Sequence, residues 1–179
     1  MMKYVALLRG INVGGHAKIA MKDLRELFGE LGFDEVQTYL QSGNVVFADP
    51  AGAAPGELRE RIEKRLSDGL GVPASVLLRT GESLARTVAA NPYLDREDDP
   101  TKLHVTFLAE RPTAEQAAGL QTPAGETAEF TLVGDEIHLH VPGGYGRTKL
   151  NNTFIERRLG IAATTRNWKS VNALRAMAS

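Results

Sequence analysis

The residues of this chain best suited to chemistry are cations and carboxamides set beside glycine-rich turns. Arg9 opens the run Arg9-Gly10-Ile11-Asn12-Val13-Gly14-Gly15, with His16 and Lys18 just beyond it, and Gln41, Ser42, Gly43 and Asn44 form a second short polar turn. Backbone N–H groups left accessible by glycine where a helix begins, next to fixed Arg and Lys charge, suit a phosphate or a carboxylate. The first run has neither the Lys-Ser/Thr ending of a P-loop nor the glycine spacing of a dinucleotide fingerprint, so it suggests anion binding without pointing to a cofactor. A tight loop that needs glycine only for its turns would account for the same glycines.

A second group lies near the C-terminus. Arg147 and Lys149 follow Gly143-Gly144-Tyr145-Gly146, and Arg166 with Asn167 ends a later strand. Brought to one end of a sheet, Arg147, Lys149 and Arg166 make a basic patch, with the Arg side chains offering a bidentate fork to an anion. Other candidates carry less. His138 and His140 alternate onto one strand face, yet no third ligand is spaced near them, so they read as paired surface or cross-strand histidines and no metal site is expected. His104 falls inside an apolar strand and reads as a satisfied core or half-buried residue, whereas Glu110, Asp135 and Glu136 read as the charges that keep hairpin ends soluble. No Ser/His/Asp arrangement or nucleophile elbow is identifiable, and the absence of cysteine removes disulfides, thiolate metal sites and cysteine nucleophiles.

The elements that must position these residues follow from periodicity. Lys3 to Arg9 is a buried strand, and Met21, Leu24, Leu27, Phe28 and Leu31 repeat at helical spacing up to Gly32. Val36 to Leu40 and Val45 to Ala48 are strands of a hairpin. Leu58, Ile62, Leu66 and Leu70 mark a helix ending near Gly69 or Gly71, and Val72 to Arg79 is a strand. Thr80 to Ala90 is a connecting helix, stopped at Asn91-Pro92, and Asp95 to Pro100 is an acidic linker. The order then repeats: a strand over Lys102 to Ala109, a helix opened by the Thr113/Gln116 capping box, and a hairpin turning at Gly134-Asp135. A helix with Thr153/Glu156 as a second capping box and Gly160 at its end comes next, followed by an edge strand over Ala163 to Asn167 and a last helix over Ser170 to Met177. Two α+β units of the ferredoxin-like strand-helix-strand-strand-helix-strand type are expected, near residues 1–80 and 101–179, with 81–100 as linker. Right-handed crossovers place the loop after the first strand beside the hairpin between the second and third.

The chain has 179 residues, 42% of them hydrophobic, and a net charge of −1, which exclude disorder and give no global attraction to nucleic acid or membrane. That balance conceals opposed segments: Asp95 to His140 carries 3 basic and 10 acidic residues, and Val141 to Ser179 carries 7 basic and 1 acidic. The N-terminal apolar run is far short of the roughly 20 residues that span a bilayer, and it lacks a small-residue cleavage site, so a cytoplasmic location is expected and no membrane partner. Tyr39, Phe47 and Tyr145 invite comparison with the aromatic sheet of RNA-recognition folds, but the basic and aromatic octapeptide of that fold is missing.

Taken together, Leu8-Arg9-Gly10-Ile11-Asn12-Val13-Gly14-Gly15, Tyr39-Leu40-Gln41-Ser42-Gly43-Asn44-Val45, Gly146-Arg147-Thr148-Lys149-Leu150 and Thr164-Thr165-Arg166-Asn167-Trp168 resemble the uncharacterised bacterial family called domain of unknown function 1697 over nearly the whole chain. The resemblance implies two ferredoxin-like halves and carries no established activity, cofactor or catalytic residue. The functional expectation is binding of a phosphate-bearing small molecule or a nucleic acid by Arg9, Asn12, Gly14, Gly15, Lys18, Gln41, Asn44, Arg147, Lys149, Arg166 and Asn167, with no cofactor. The alternatives are an enzyme acting on a small anionic substrate, with Lys18, His16 or Lys149 moving protons, and an interaction module that pairs its acidic and basic faces.

Overall fold

The computed structural model describes residues 2–11, 18–40 and 43–179. Among them the strands are β1 (Met2–Arg9), β2 (Asp34–Tyr39), β3 (Asn44–Asp49), β4 (Ser75–Thr80), β5 (Leu103–Leu108), β6 (Glu129–Val133), β7 (Glu136–His140) and β8 (Ala163–Asn167). The helices are α1 (Met21–Glu30), α2 (Pro55–Leu70), α3 (Gly81–Ala89), α4 (Ala114–Ala118), α5 (Asn152–Leu159) and α6 (Trp168–Met177). They form two four-stranded sheets of order β2-β3-β1-β4 and β6-β7-β5-β8, every pair antiparallel. Each is the order that a right-handed strand-helix-strand crossover, a hairpin and a second crossover impose, so the α+β class and its ferredoxin-like halves stand. Chain contacts divide the molecule into one unit running to Ala85 that also takes in Ala173–Ser179, and a second over Arg86–Asn172. No helix among the described residues is long and apolar enough to cross a membrane.

In the first unit α1 and α2 cover one sheet face. Leu24, Leu27 and Phe28 of α1 and Leu58, Ile62 and Leu66 of α2 are buried against Tyr4, Ala6, Leu8, Val45 and Phe47. Phe28, Phe33 and Phe47 meet with ring centroids 4.4 to 6.0 Å apart, so Phe47 is a core residue and not a stacking platform for a base. Gly71 ends α2 in the left-handed conformation at φ 66°, with its N–H on the Ser67 carbonyl.

Gly81, where α3 begins, is held for a steric reason. A Cβ there would lie 2.1 Å from the carbonyl oxygen of Ala178, a backbone atom that cannot swing aside. Gly81→Ala is therefore expected to dislodge the C-terminal residues from the first unit at a cost of about 1–3 kcal/mol. Thermal melting reads this, and an unchanged midpoint would show that the C-terminus is not seated there.

In the second unit the helix-side core comprises Leu108, Ile137, Leu139, Leu150, Ile155, Leu159 and Ala163. The Thr113/Gln116 capping box forms in both directions, and Gly160 closes α5 at φ 69°. The Thr153/Glu156 box does not form. Asn151 caps α5 instead, accepting from the Phe154 N–H at 2.9 Å, while Glu156 accepts from the Ala163 N–H at 2.9 Å and so ties α5 to β8. The last helix starts at Trp168, two residues earlier than its apolar periodicity suggests, and its first turn is held by Asn167 Oδ1, which accepts from the Ser170 N–H at 2.8 Å.

Candidate functional site

The crossover rule sets the exit of β1 beside the start of β3, and the register makes this concrete. Asn44 faces Leu7 on β1 and Tyr39 on β2, and Arg9 faces Ser75 on β4. Because side chains alternate along a strand, Arg9, Asn44, Tyr39 and Ser75 lie on one face at one end of the first sheet. The turn is fastened to β1 by the Leu8 N–H, which donates to the Gly43 carbonyl at 2.8 Å. Gly43 sits at φ 91°, and a Cβ there would come within 2.8 Å of Ile11 Cδ1 and 3.0 Å of Leu8 Cβ, so glycine is required both for the turn and for the close approach. Asn44 is fully buried and donates its carboxamide N–H to the Tyr39 carbonyl at 2.7 Å, which makes it the residue that shapes the turn. Lys18 is exposed and Arg9 half-buried. Asn12, Gly14, Gly15 and His16 of the first run, and Gln41 and Ser42 of the turn, lie outside the described residues.

One member of this edge escaped the sequence reading. Leu40 takes a left-handed φ of 58° and is 54% exposed, a conformation uncommon for a branched apolar side chain. Nothing in its neighbours in sequence signals that conformation, because hydropathy alone makes it the last residue of a strand.

The second unit treats its cations differently. Arg147 and Lys149 are exposed, and Arg147 lines an open cavity of about 210 Å³ with Gly125, Glu126, Thr127, Gly143 and Gly144. Glu126 staples this loop: its carboxylate accepts from the Lys149 N–H at 3.0 Å, the Ala128 N–H at 3.1 Å and the Thr148 hydroxyl at 3.0 Å. These bonds, the Lys149 N–H foremost, hold the Glu126 carboxyl below its ordinary pKa. Arg166 is buried, 7% exposed, and its guanidinium donates to the Thr164 hydroxyl at 2.6 Å and the Thr165 carbonyl at 3.1 Å; burial lowers its pKa to about 10. The patch expected from Arg147, Lys149 and Arg166 thus reduces, at the surface, to the first two. Asn167 is occupied in capping α6.

His138, His140 and Glu136 also sit elsewhere than their sequence context suggests. Glu136, His138 and His140 share one face of β7, and all three are buried. The Thr87 hydroxyl donates to Glu136 at 2.5 Å, so Glu136 is not a solvated hairpin end. The Tyr93 ring stacks on His140 at 5.6 Å, and the Tyr93 hydroxyl bonds Thr131 at 2.8 Å. His140 Nε2 meets Glu97 at 2.9 Å and its Nδ1 meets Glu129 at 3.5 Å. These contacts pin the 87–99 segment onto the sheet. They leave no group of three ligands able to hold a metal among the described residues. His104 stacks on Tyr145 at 4.7 Å, which places Tyr145 against the protein and not in solvent.

The fold and edge geometry define a class: an α+β protein of two ferredoxin-like units, with a glycine-dependent turn packed against the exit of β1 in the first. Within that class the chain belongs to the family described as "Protein of unknown function (DUF1697)", whose profile matches residues 1–138. The match includes both motifs of the first edge and ends before the Arg147 loop. The conserved bacterial protein SP0830 of Streptococcus pneumoniae shares the fold, with a TM-score of 0.77 over 99% of each chain at 23% identity. Comparison with curated proteins returned no significant match.

Proposed function

We propose that the first unit binds an anionic, phosphate-bearing ligand, a nucleotide or a nucleic acid, at the edge where β1 exits beside the β2–β3 turn. The observation that supports this reading is the close packing of Gly43 on Ile11 and Leu8, which seats the residue that ends the polar turn against the exit of β1. Arg9 supplies a fixed charge with a planar donor fork, Lys18 a mobile one, and glycine-rich backbone the N–H donors, so an anion at this edge meets several kinds of donor. Asn12, Gly14, Gly15 and Gln41 complete the proposed donor set, with Asn44 shaping the turn. Arg147 and Lys149 are a secondary cationic surface on the second unit.

Titration with inorganic pyrophosphate, ATP and a short single-stranded oligonucleotide over a range of salt tests the proposal. Binding of the oligonucleotide is expected to weaken linearly in log affinity against log salt, with Arg9→Ala reducing the slope by about one and the affinity roughly tenfold or more. Affinity indifferent to salt, or an Arg9→Ala variant that binds all three probes as the parent does, would contradict it.

A further inference from the structure

We infer that the outer edge of β6 is a pairing strand, and that its partner is β6 of a second copy of this chain, antiparallel about a two-fold axis at Thr131. A sheet edge exposes a row of N–H and C=O groups that recruits other strands unless bulges, charges or covering side chains block it. Among the described residues the other three sheet edges are blocked. β2 breaks register between Asp34 and Gln37, with Glu35 in the left-handed region at φ 52°. On β4 the Val76 N–H is taken by the Glu63 carboxylate at 2.9 Å, and the Leu78 carbonyl accepts from Arg79 at 3.0 Å. On β8 the Ala163 N–H is taken by Glu156 at 2.9 Å, its carbonyl by Asn152 at 3.0 Å, and the Thr165 carbonyl by Arg166 at 3.1 Å.

β6 has no register break and no side chain on its outward backbone groups, and its one charge, Glu129 at its start, is paired with Arg96 at 3.3 Å. It pairs with β7 residue for residue from Glu129↔His140 to Val133↔Glu136, without a register shift. The Leu108 N–H donates to the Asp135 carbonyl at 2.9 Å and the Val141 N–H to the Lys102 carbonyl at 2.8 Å, so on β7 the backbone groups of Glu136, His138 and His140 turn towards β6. Their partners Val133, Thr131 and Glu129 spend their own groups on that ladder. Alternation then aims the N–H and C=O of Phe130 and Leu132 outward, where no described residue bonds them.

The side chains favour a second copy as the occupant. With Thr131 opposite Thr131, the outward groups of Phe130 face those of Leu132 in the other copy, twice by symmetry, which closes four backbone hydrogen bonds. Opposed residues share a face, so Phe130 meets Leu132 on one side, while Thr131 meets Thr131 and Glu129 meets Val133 on the other. No like charges oppose in this register. Sliding it by one residue, to centre on Leu132, would set Glu129 against Asp135 of the second copy. Val133, 40% exposed, is apolar surface that this pairing covers.

The test uses the register. Val133→Glu sets carboxylate against the Glu129 carboxylate at both ends of the pair, and Val133→Lys sets ammonium against it. Sedimentation velocity from micromolar to millimolar protein is expected to show a reversible dimer in the parent. Its dissociation constant should rise about tenfold in V133E and fall a few-fold in V133K, each through two symmetric cross-strand pairs. Hydrogen exchange on the unaltered protein should show the Phe130 and Leu132 amides gaining protection as concentration rises. A monomer throughout, a dimer equally stable in V133E and V133K, or protection confined to other amides would overturn the assignment. So would protection of these two amides only on addition of an extended apolar peptide, with the chain remaining monomeric.

Discussion

Gly43→Ala lowers the stability of the protein by roughly 2–4 kcal/mol, and with it the melting temperature by roughly 5–15 °C. Two costs combine. An L side chain at φ 91° is strained whatever the space, and the new methyl group would lie 2.8 Å from Ile11 Cδ1 and 3.0 Å from Leu8 Cβ. Gly10 separates them, because its φ of 87° is similar but no atom lies within 4 Å of its would-be Cβ. Gly10→Ala should therefore cost only the conformational part, about 1–2 kcal/mol. The difference between the two variants reads the contact between turn and strand exit. Ile11→Val removes Cδ1, the nearest of the three atoms the new methyl meets, and leaves Ile11 Cγ1 and Leu8 Cβ at 3.0 Å, so the double variant G43A/I11V should be somewhat more stable than the sum of the single effects. Differential scanning calorimetry on the parent and the four variants decides this, and equal losses for G43A and G10A would mean that the turn is not packed on β1.

Acid destabilises the second unit through two histidines. His138 is fully buried with neither ring nitrogen hydrogen-bonded among the described residues, and His104 is buried with its Nδ1 unpartnered. Burial lowers the pKa of each from 6.5 to about 4. The unfolded chain takes up these protons first as pH falls, so stability is complete above pH 6.5 and is lost progressively down to about pH 4. For His138 the full loss is about 3 kcal/mol, at about 1.4 kcal/mol per pH unit. Glu97, Glu126 and Glu129, held below their ordinary pKa by hydrogen bonds from His140, Lys149 and Arg96 in turn, act in the same direction at lower pH. Their contribution is present above the carboxylate range and fades as pH passes down through their folded values. His138→Leu should make the profile shallower between pH 6.5 and 4, leaving the share due to His104, and at neutral pH it should leave stability unchanged or raised, because it removes a buried polar ring without partners. A variant profile parallel to that of the parent would show that His138 is solvated or bonded when folded.

These two cases mark where the sequence is legible. Strand order could be read because element order and crossover handedness leave one simple solution for each half, and that solution set the β1 exit beside the β2–β3 turn. Caps could be read where a local pattern has one partner, as at Thr113/Gln116 and Gly160, but not at Thr153, where Asn151 lay two residues nearer the chain's entry into α5. Side-chain direction in the second sheet could not. Glu136, His138 and His140 alternate with Ile137 and Leu139, which is the pattern of a strand with one wet face, yet the polar face is buried. Thr87, Tyr93 and Glu97 cover it, residues of a connecting segment whose composition reads as linker. The burial of Arg166 is equally hidden from the sequence. In Ala163-Thr164-Thr165-Arg166-Asn167 no hydrophobic alternation distinguishes the faces, so the burial of its guanidinium against Thr164 leaves no trace in the pattern. At the first edge the residue types of Arg9, Lys18 and Asn44 were visible. The separate part played by Asn44, holding the turn from a fully buried position, needed the Tyr39 carbonyl to be seen beside it.

The central claim, that an anion binds where β1 leaves the first sheet, is tested most directly by following backbone amide resonances during titration with inorganic pyrophosphate. The account predicts saturable shifts concentrated at Arg9, Gly10, Lys18, Gly43 and Asn44, abolished by Arg9→Ala and absent from the Arg147 loop at the same concentration. Shifts spread over surface lysines without saturation, or confined to residues around Arg147 and Lys149, would contradict it.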